Sequence, residues 1–116
     1  MGGFRELVVW QRSKALAVRI YWITRQGPFN TDFGLRDQIR RAAVSVPSNV
    51  AEGDERGTNK ESIRFFYIAK GSLAELQTQL EIACEIEYVD NDTLSNILKE
   101  CEAIGKMLGS LIKSRS

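Results

Sequence analysis

The chain has 116 residues, 43% hydrophobic and 27% charged, with sixteen Lys and Arg against fifteen Asp and Glu and no histidine. That length holds one domain with a modest core, near the size at which a partner subunit helps to bury apolar surface. No run approaches the roughly eighteen apolar residues that span a bilayer, and Met1-Gly2-Gly3-Phe4-Arg5-Glu6 lacks the charged, apolar and small-residue regions of a signal peptide, so no membrane partner and a cytoplasmic location are expected.

The first helix is expected over residues 6–25. Val9, Leu16, Ile20 and Ile23, with Trp10, Ala17 and Tyr21 beside them, form one broad apolar face suited to a core. The opposite side carries a second stripe, Val8, Ala15, Val18 and Trp22, bordered by Arg12 and Arg19 on one flank and by Lys14 and Arg25 on the other. A helix packed in a single small bundle has no use for two apolar faces. A bulky Trp22 in register with three other residues therefore marks these four as an interface between copies of the chain.

Gly27 and Pro28 end this helix, because proline lacks an amide donor and drives its neighbour from helical angles; a loop to about residue 32 follows. The second helix, over 33–54, turns Leu35, Ile39, Ala42, Ala43, Val46 and Val50 toward the core. Pro47 inside it removes the bond to the Ala43 carbonyl, which predicts a kink. Gly53 and Gly57 read as helix-ending residues, Gly57 in a left-handed turn. Thr58 and Glu61 have the spacing of a capping box and open a third helix over 59–88. Its seam is Phe65, Ala69, Ser72, Leu76, Leu80 and Ala83, widened by Phe66, Leu73 and Cys84.

Asp90, Asn91 and Asp92 offer capping oxygens for a fourth helix over 92–113. Leu94, Leu98, Cys101, Gly105, Leu108 and Ile112 form its inner stripe, with Ile97, Ile104 and Leu111 adjacent, and Gly105 and Gly109 would permit close helix approach. Short connections between long helices favour antiparallel neighbours. The expected fold is therefore all-α: a single domain over residues 1–116, built as an antiparallel up-down-up-down four-helix bundle.

Two features bear on function. Gln38, Arg41, Ser45, Asn49 and Glu52 form a polar row on the second helix, about a quarter turn from its apolar stripe. Such a row is a solvated surface, a structural hydrogen-bond network or the wall of a pore. In the network reading, Ser72, Glu75 and Gln79 on the third helix are its partners, with Arg41 to Glu75 the foremost pair. Charge is also uneven: residues 1–70 hold twelve Lys and Arg against seven Asp and Glu, and residues 71–116 hold four against eight. Arg12, Arg19, Arg36, Arg40 and Arg41 are candidate phosphate contacts, since a basic surface attracts nucleic acid by releasing counterions. The alternative is that these arginines pair with the acidic second half, within or between subunits.

Catalysis is not expected. With no histidine the chain has no usual general base near neutral pH and no Ser-His or Cys-His pair. Glu81 and Glu85 form a carboxylate pair without further ligands, and no phosphate-cradling glycine loop is visible. Cys84 and Cys101 are expected to be reduced core residues, and two thiols without histidine do not fill a zinc site. Neither a metal nor any other cofactor is expected.

Leu7-Val8-Val9-Trp10-Gln11, Ile20-Tyr21, Phe33-Gly34-Leu35, the block Gln38-Ile39-Arg40-Arg41-Ala42-Ala43-Val44-Ser45-Val46-Pro47-Ser48-Asn49-Val50-Ala51-Glu52-Gly53, and Gly71-Ser72-Leu73-Ala74-Glu75-Leu76 together resemble one family. It is the four-helix bundle family encoded in intervening sequences of bacterial 23S ribosomal RNA genes. The resemblance runs from Leu7 to about Tyr88; Thr31 stands where that family usually has an acidic residue, and Gln26-Gly27-Pro28 replaces its Phe-Pro approach.

The resemblance implies a ring-shaped homopentamer, similar to the accessory protein of diversity-generating retroelements, with basic surface suited to nucleic acid. It also implies that Arg41, Ser45, Asn49, Glu52, Ser72 and Glu75 specify how helices meet. The expected function is thus a non-enzymatic homopentamer that binds RNA or DNA with low sequence specificity, as an accessory to another nucleic-acid-handling protein. The alternative is an oligomeric protein-binding scaffold without nucleic-acid binding.

Overall fold

The computed structural model describes residues 3–116, and the regular structure among them is entirely helical. Four long helices follow in order, α1 (Val8–Ile23), α2 (Phe33–Asp54), α3 (Asn59–Glu85) and α4 (Asn91–Ser114), with short 3-10 turns at Phe4–Glu6 and Gly27–Thr31. Both α1 and α3 pack against α2 and α4, so the four helices enclose a common core in a bundle 44 Å long and 23 by 21 Å across. Ile20, Ile39, Val46, Val50, Leu76, Leu80, Ile97, Ile104 and Leu108 are fully buried there.

The inner faces differ in phase from the expected ones at three places. Tyr21, expected in the core, is exposed. On α3 it is Phe66 that is fully buried, while Phe65 is half-buried beneath the Arg56 guanidinium, 4.4 Å from its ring centre. On α4 the buried line is Ile97, Cys101, Ile104 and Leu108, with Leu94 and Leu98 half-buried at its edge.

Helix ends depend on local chemistry. α1 starts two residues later than expected, behind an extended Leu7 with no side-chain cap, and it stops at Ile23, where the buried Thr24 hydroxyl donates to the Ile20 carbonyl at 2.8 Å. The segment expected as a loop winds into a 3-10 turn that seats Phe29 in the core, with Gly27 at φ +54° supplying the reversal. Asp32 then accepts the Leu35 amide at 3.1 Å and starts α2, which continues through a buried Pro47.

Gly53 and Gly57 flank the end of α2 at Asp54, but neither ends it through a left-handed backbone. Gly57 does not adopt a left-handed backbone; among the described glycines only Gly3 and Gly27 have positive φ. Gly53 lies inside α2 against the Phe66 ring, and its carbonyl accepts the Ser62 hydroxyl at 2.6 Å across the α2–α3 turn. Thr58 does cap α3, its hydroxyl accepting the Glu61 amide at 3.2 Å, but no return bond from the Thr58 amide to the Glu61 carboxylate forms, so half the box is present. Nor do Gly105 and Gly109 mark tight helix contacts: the nearest atom a Cβ would meet at Gly105 is Leu73 Cδ2 at 3.6 Å, and Gly109 faces open space.

α3 ends at Glu85, three residues before the expected end. The Tyr88 amide bonds the Ala83 carbonyl at 2.8 Å and the Glu87 amide bonds the Cys84 carbonyl at 3.0 Å, which closes the helix in a Schellman motif with Glu87 at φ +68°. Tyr88 then lies 5.2 Å from Phe29, ring centre to ring centre, and its hydroxyl donates to Asp32 at 2.8 Å. One tyrosine thus ties the α3–α4 turn to the start of α2. Asp90 accepts the Thr93 amide at 2.7 Å and opens α4 at Asn91.

Candidate nucleic-acid interface

Of the five candidate phosphate-binding arginines, two are engaged by carboxylates of the chain itself. Arg12 on α1 donates through Nε to Glu100 on α4 at 3.0 Å, and a second bond from Nη2 makes the pair bidentate. That hydrogen bonding raises the Arg12 guanidinium above its ordinary value and holds the Glu100 carboxyl below its own, with partial burial of the carboxylate opposing. Arg36 donates to Asp37 at 3.1 Å and to the Asn30 carbonyl at 3.0 Å, and its guanidinium lies 4.7 Å over the exposed Phe33 ring.

The other three arginines have no ion pair among the described residues. Arg19 is exposed on α1, near enough to Glu100 to help lower its proton affinity. Arg40 is positioned by two contacts: Nε donates to the Thr24 hydroxyl at 2.8 Å, and the guanidinium plane lies 4.6 Å over the Tyr21 ring. Arg41 is exposed one residue further along α2.

Arg40 and Arg41 line an open hollow of about 490 Å³ with Tyr21, Asp37, Val44 and Ser45. Its single carboxylate, Asp37, is the one already engaged by Arg36. The hollow therefore presents two cationic forks and an aromatic ring against one neutralised acid, an arrangement suited to phosphate oxygens.

The polar row divides into a hydrogen-bonded part and an open part. Ser45 and Ser72 hydroxyls lie 2.7 Å apart across α2 and α3, and the Asn49 amide nitrogen donates to the Ser45 carbonyl at 2.8 Å and hydroxyl at 2.9 Å. Gln38, Arg41, Ser45, Ser72, Glu75 and Gln79 surround a second hollow, of about 390 Å³. The expected Arg41–Glu75 ion pair does not form; the two side chains share the hollow without coming within 4 Å, because both are exposed on its rim. The Gln79 Oε1 atom is buried without a partner, and Glu52 leaves the row to pair with Arg56 one turn on, at 2.7 Å.

Val8, Ala15, Val18 and Trp22 all lie on the surface, with Trp22 58% exposed and the Arg25 guanidinium 4.5 Å over its ring. Both thiols are free: Cys84 is half-buried and donates to Asn91 Oδ1 at 3.2 Å, whereas burial pushes the Cys101 thiol up to about 11.

Several ties between segments had no sequence signal. Arg115 donates to Asp54 at 2.9 Å and covers the Phe66 ring at 5.3 Å, joining the end of α4 to the end of α2. The Tyr88–Asp32 bond spans 56 residues. Of the stacked pairs on the candidate arginines, Phe33 with Arg36 lies within one helical turn, whereas Tyr21 and Arg40 stand on different helices and no spacing joins them.

No described helix is long and apolar enough to cross a membrane. Among curated proteins none matches the chain. In three dimensions it is similar to a protein of unknown function from the S23 ribosomal protein family of Bacteroides thetaiotaomicron VPI-5482, known from its crystal structure: the TM-score is 0.83 at 28% identity, over 91% of this chain and 99% of that one. The sequence profile of the 23S rRNA-intervening sequence protein family matches residues 5–110. With that profile spanning nearly all of α1 to α4 and a relative of closely similar fold, the chain belongs to the 23S rRNA-intervening sequence protein family.

Proposed function

We propose that the chain is a non-enzymatic subunit of a ring-shaped homopentamer whose basic surface binds RNA or DNA with little sequence specificity. The observation that carries the binding half is the hollow beside Tyr21, where Arg40 and Arg41 stand without ion-pair partners while Arg12 and Arg36 are neutralised within the chain. Phosphate contacts of this kind position a strand and carry no sequence information. The fixed Arg40 guanidinium, held by Thr24 and Tyr21, meets a phosphate with little further loss of side-chain freedom.

Assembly is supported by the second apolar stripe of α1, exposed in the single chain, and the number five by the resemblance to the intervening-sequence family. The subunit is an antiparallel up-down-up-down bundle in this reading. Its support is the sense in which residues meet: Gly53 faces Ser62 and Ser45 faces Ser72, so numbers rise along α3 as they fall along α2.

The test is fluorescence anisotropy with a labelled structured RNA and a DNA duplex over a range of salt. The double variant Arg40→Glu, Arg41→Glu is expected to bind both more weakly and to lower the slope of log affinity against log salt by about one per lost phosphate contact. An unchanged slope would remove the hollow from the interface, and no binding by the wild type at low salt would end the nucleic-acid reading.

A further inference from the structure

Two apolar stripes stay outside the core, on different helices. On α1, Val8, Ala15 and Trp22 repeat at seven residues with Val18 between them, and Val8, Val18 and Trp22 are each more than half exposed. On α3, Ile68 and Ile82 lie fourteen residues apart on the outward side, 41% and 46% exposed, with Gly71 and Ile86 continuing the line. Above Gly71 there is open space. The α1 stripe has the seven-residue period that lets a second helix lie along it, and on α3 Ile68 and Ile82 stand two such periods apart with Glu75 between them.

Their borders differ in charge. Lys14, Arg19 and Arg25 edge the stripe on α1 with no acid among them; on α3, Glu75, Glu81 and Glu85 lie within or beside the stripe toward its C-terminal half, and Arg64 and Lys70 toward its N-terminal half. None of these eight side chains has an ion-pair partner among the described residues. Pairing α1 with α1 from a second copy sets cations against cations. Setting α1 against α3 brings Arg19 and Arg25 to the acidic half around Ile82.

A chain cannot make that contact with itself. Because α1 and α3 each pack on α2 and α4, they occupy opposite corners of the bundle and their outer faces point away from one another. We infer that the outer face of α1 in one copy docks on the outer face of α3 in the next, with Val8 to Trp22 lying along Ile68 to Ile82, two stripes of the same fourteen-residue length, so that subunits join head to tail. Such an interface uses different patches on its two sides and leaves one free patch at each end of any open chain, which closes into a ring when the rotation allows. This rests on the assembly half of the proposed function and explains why a ring forms rather than a two-fold dimer.

The experiment mixes two variants, each dead on one face. Trp22→Asp removes the α1 face and Ile82→Asp the α3 face; both residues are exposed in the single chain, so circular dichroism is expected to show undiminished helix. By light scattering the wild type is larger than the 13.1 kDa chain, each variant alone is a monomer with self-affinity lowered at least about 30-fold, and their equimolar mixture forms a one-to-one pair and nothing larger. A second pair, Lys14→Glu with Arg19→Glu in one chain and Glu81→Lys with Glu85→Lys in the other, covers any folding defect in the first: each alone sets like charges together and is expected to be a monomer, and their mixture is expected to assemble beyond a pair, because the reversed faces match one another and so do the untouched ones. Wild-type assembly by Ile82→Asp, or a mixture that stays monomeric, overturns the head-to-tail contact while leaving self-association standing. A monomeric wild type ends the assembly reading itself, and this contact with it.

Discussion

A Cβ on Gly53 would sit 2.5 Å from Phe66 Cε1 and 3.0 Å from the Ser62 carbonyl oxygen. Phe66 cannot swing aside, being fully buried with the Arg115 guanidinium over its ring. Gly53→Ala gains about 1 kcal/mol of helix propensity but forces overpacking that costs about 1–3 kcal/mol. A net loss of about 1–2 kcal/mol is expected in urea unfolding. Glu87 is the opposite case: the Schellman bonds hold it at a φ of +68°, which strains an L side chain, and that side chain is exposed and makes no hydrogen bond that a glycine would lose. Glu87→Gly is expected to raise stability by about 0.5–1 kcal/mol in the same measurement. Neither residue announced its role, since both depend on neighbours distant in the chain or on a backbone angle.

Among the elements, α2 was the most legible: the apolar period puts Leu35, Ile39, Ala42, Ala43, Val46 and Val50 in the core, and the last five are buried while Leu35 is half-buried against it. On α3, adjacent phenylalanines made the seam ambiguous by one residue, and packing against Gly53 decided for Phe66. Helix starts were legible where short polar side chains precede an apolar run, at Thr58 and at Asp90 to Asp92, where the structure selects Asp90 as the cap. The two caps respond differently to pH. The Thr93 amide holds the Asp90 carboxyl below its ordinary value of 3.8. Its contribution is therefore complete above that unfolded-state value and is lost as pH falls through the lower folded-state one. Asp90→Ala is expected to lower the thermal midpoint at neutral pH and to converge with wild type in acid. Thr58→Ala, with no carboxyl to titrate, is expected to lose about 1 kcal/mol in both.

On the scale of the whole molecule, the uneven charge along the chain is partly resolved by pairs that cross the bundle, Arg12 with Glu100 and Arg115 with Asp54. The remaining cations of α1 and α2 and the acids of α3 stay unpaired, and they edge the surfaces assigned above to strand binding and to subunit contact. If folding and association are linked, the thermal midpoint rises with protein concentration. Differential scanning fluorimetry across the micromolar range is expected to show that rise for the wild type and its absence in Trp22→Asp. The candidate site was legible only as residue types: Arg36 and Arg40 looked equivalent one turn apart, yet Asp37 takes the first while Thr24 and Tyr21 orient the second.

The sequence by itself determined the helical character, the family and the existence of a surplus apolar face, because these depend on periodicity and composition, which are local properties of the chain. Tertiary structure decided which arginines are spent on internal carboxylates, which phenylalanine enters the core and which glycine must lack a side chain. Those choices turn on distances between residues far apart in the chain, from the 9 residues separating Gly53 and Ser62 to the 88 separating Arg12 and Glu100, and no spacing rule encodes them.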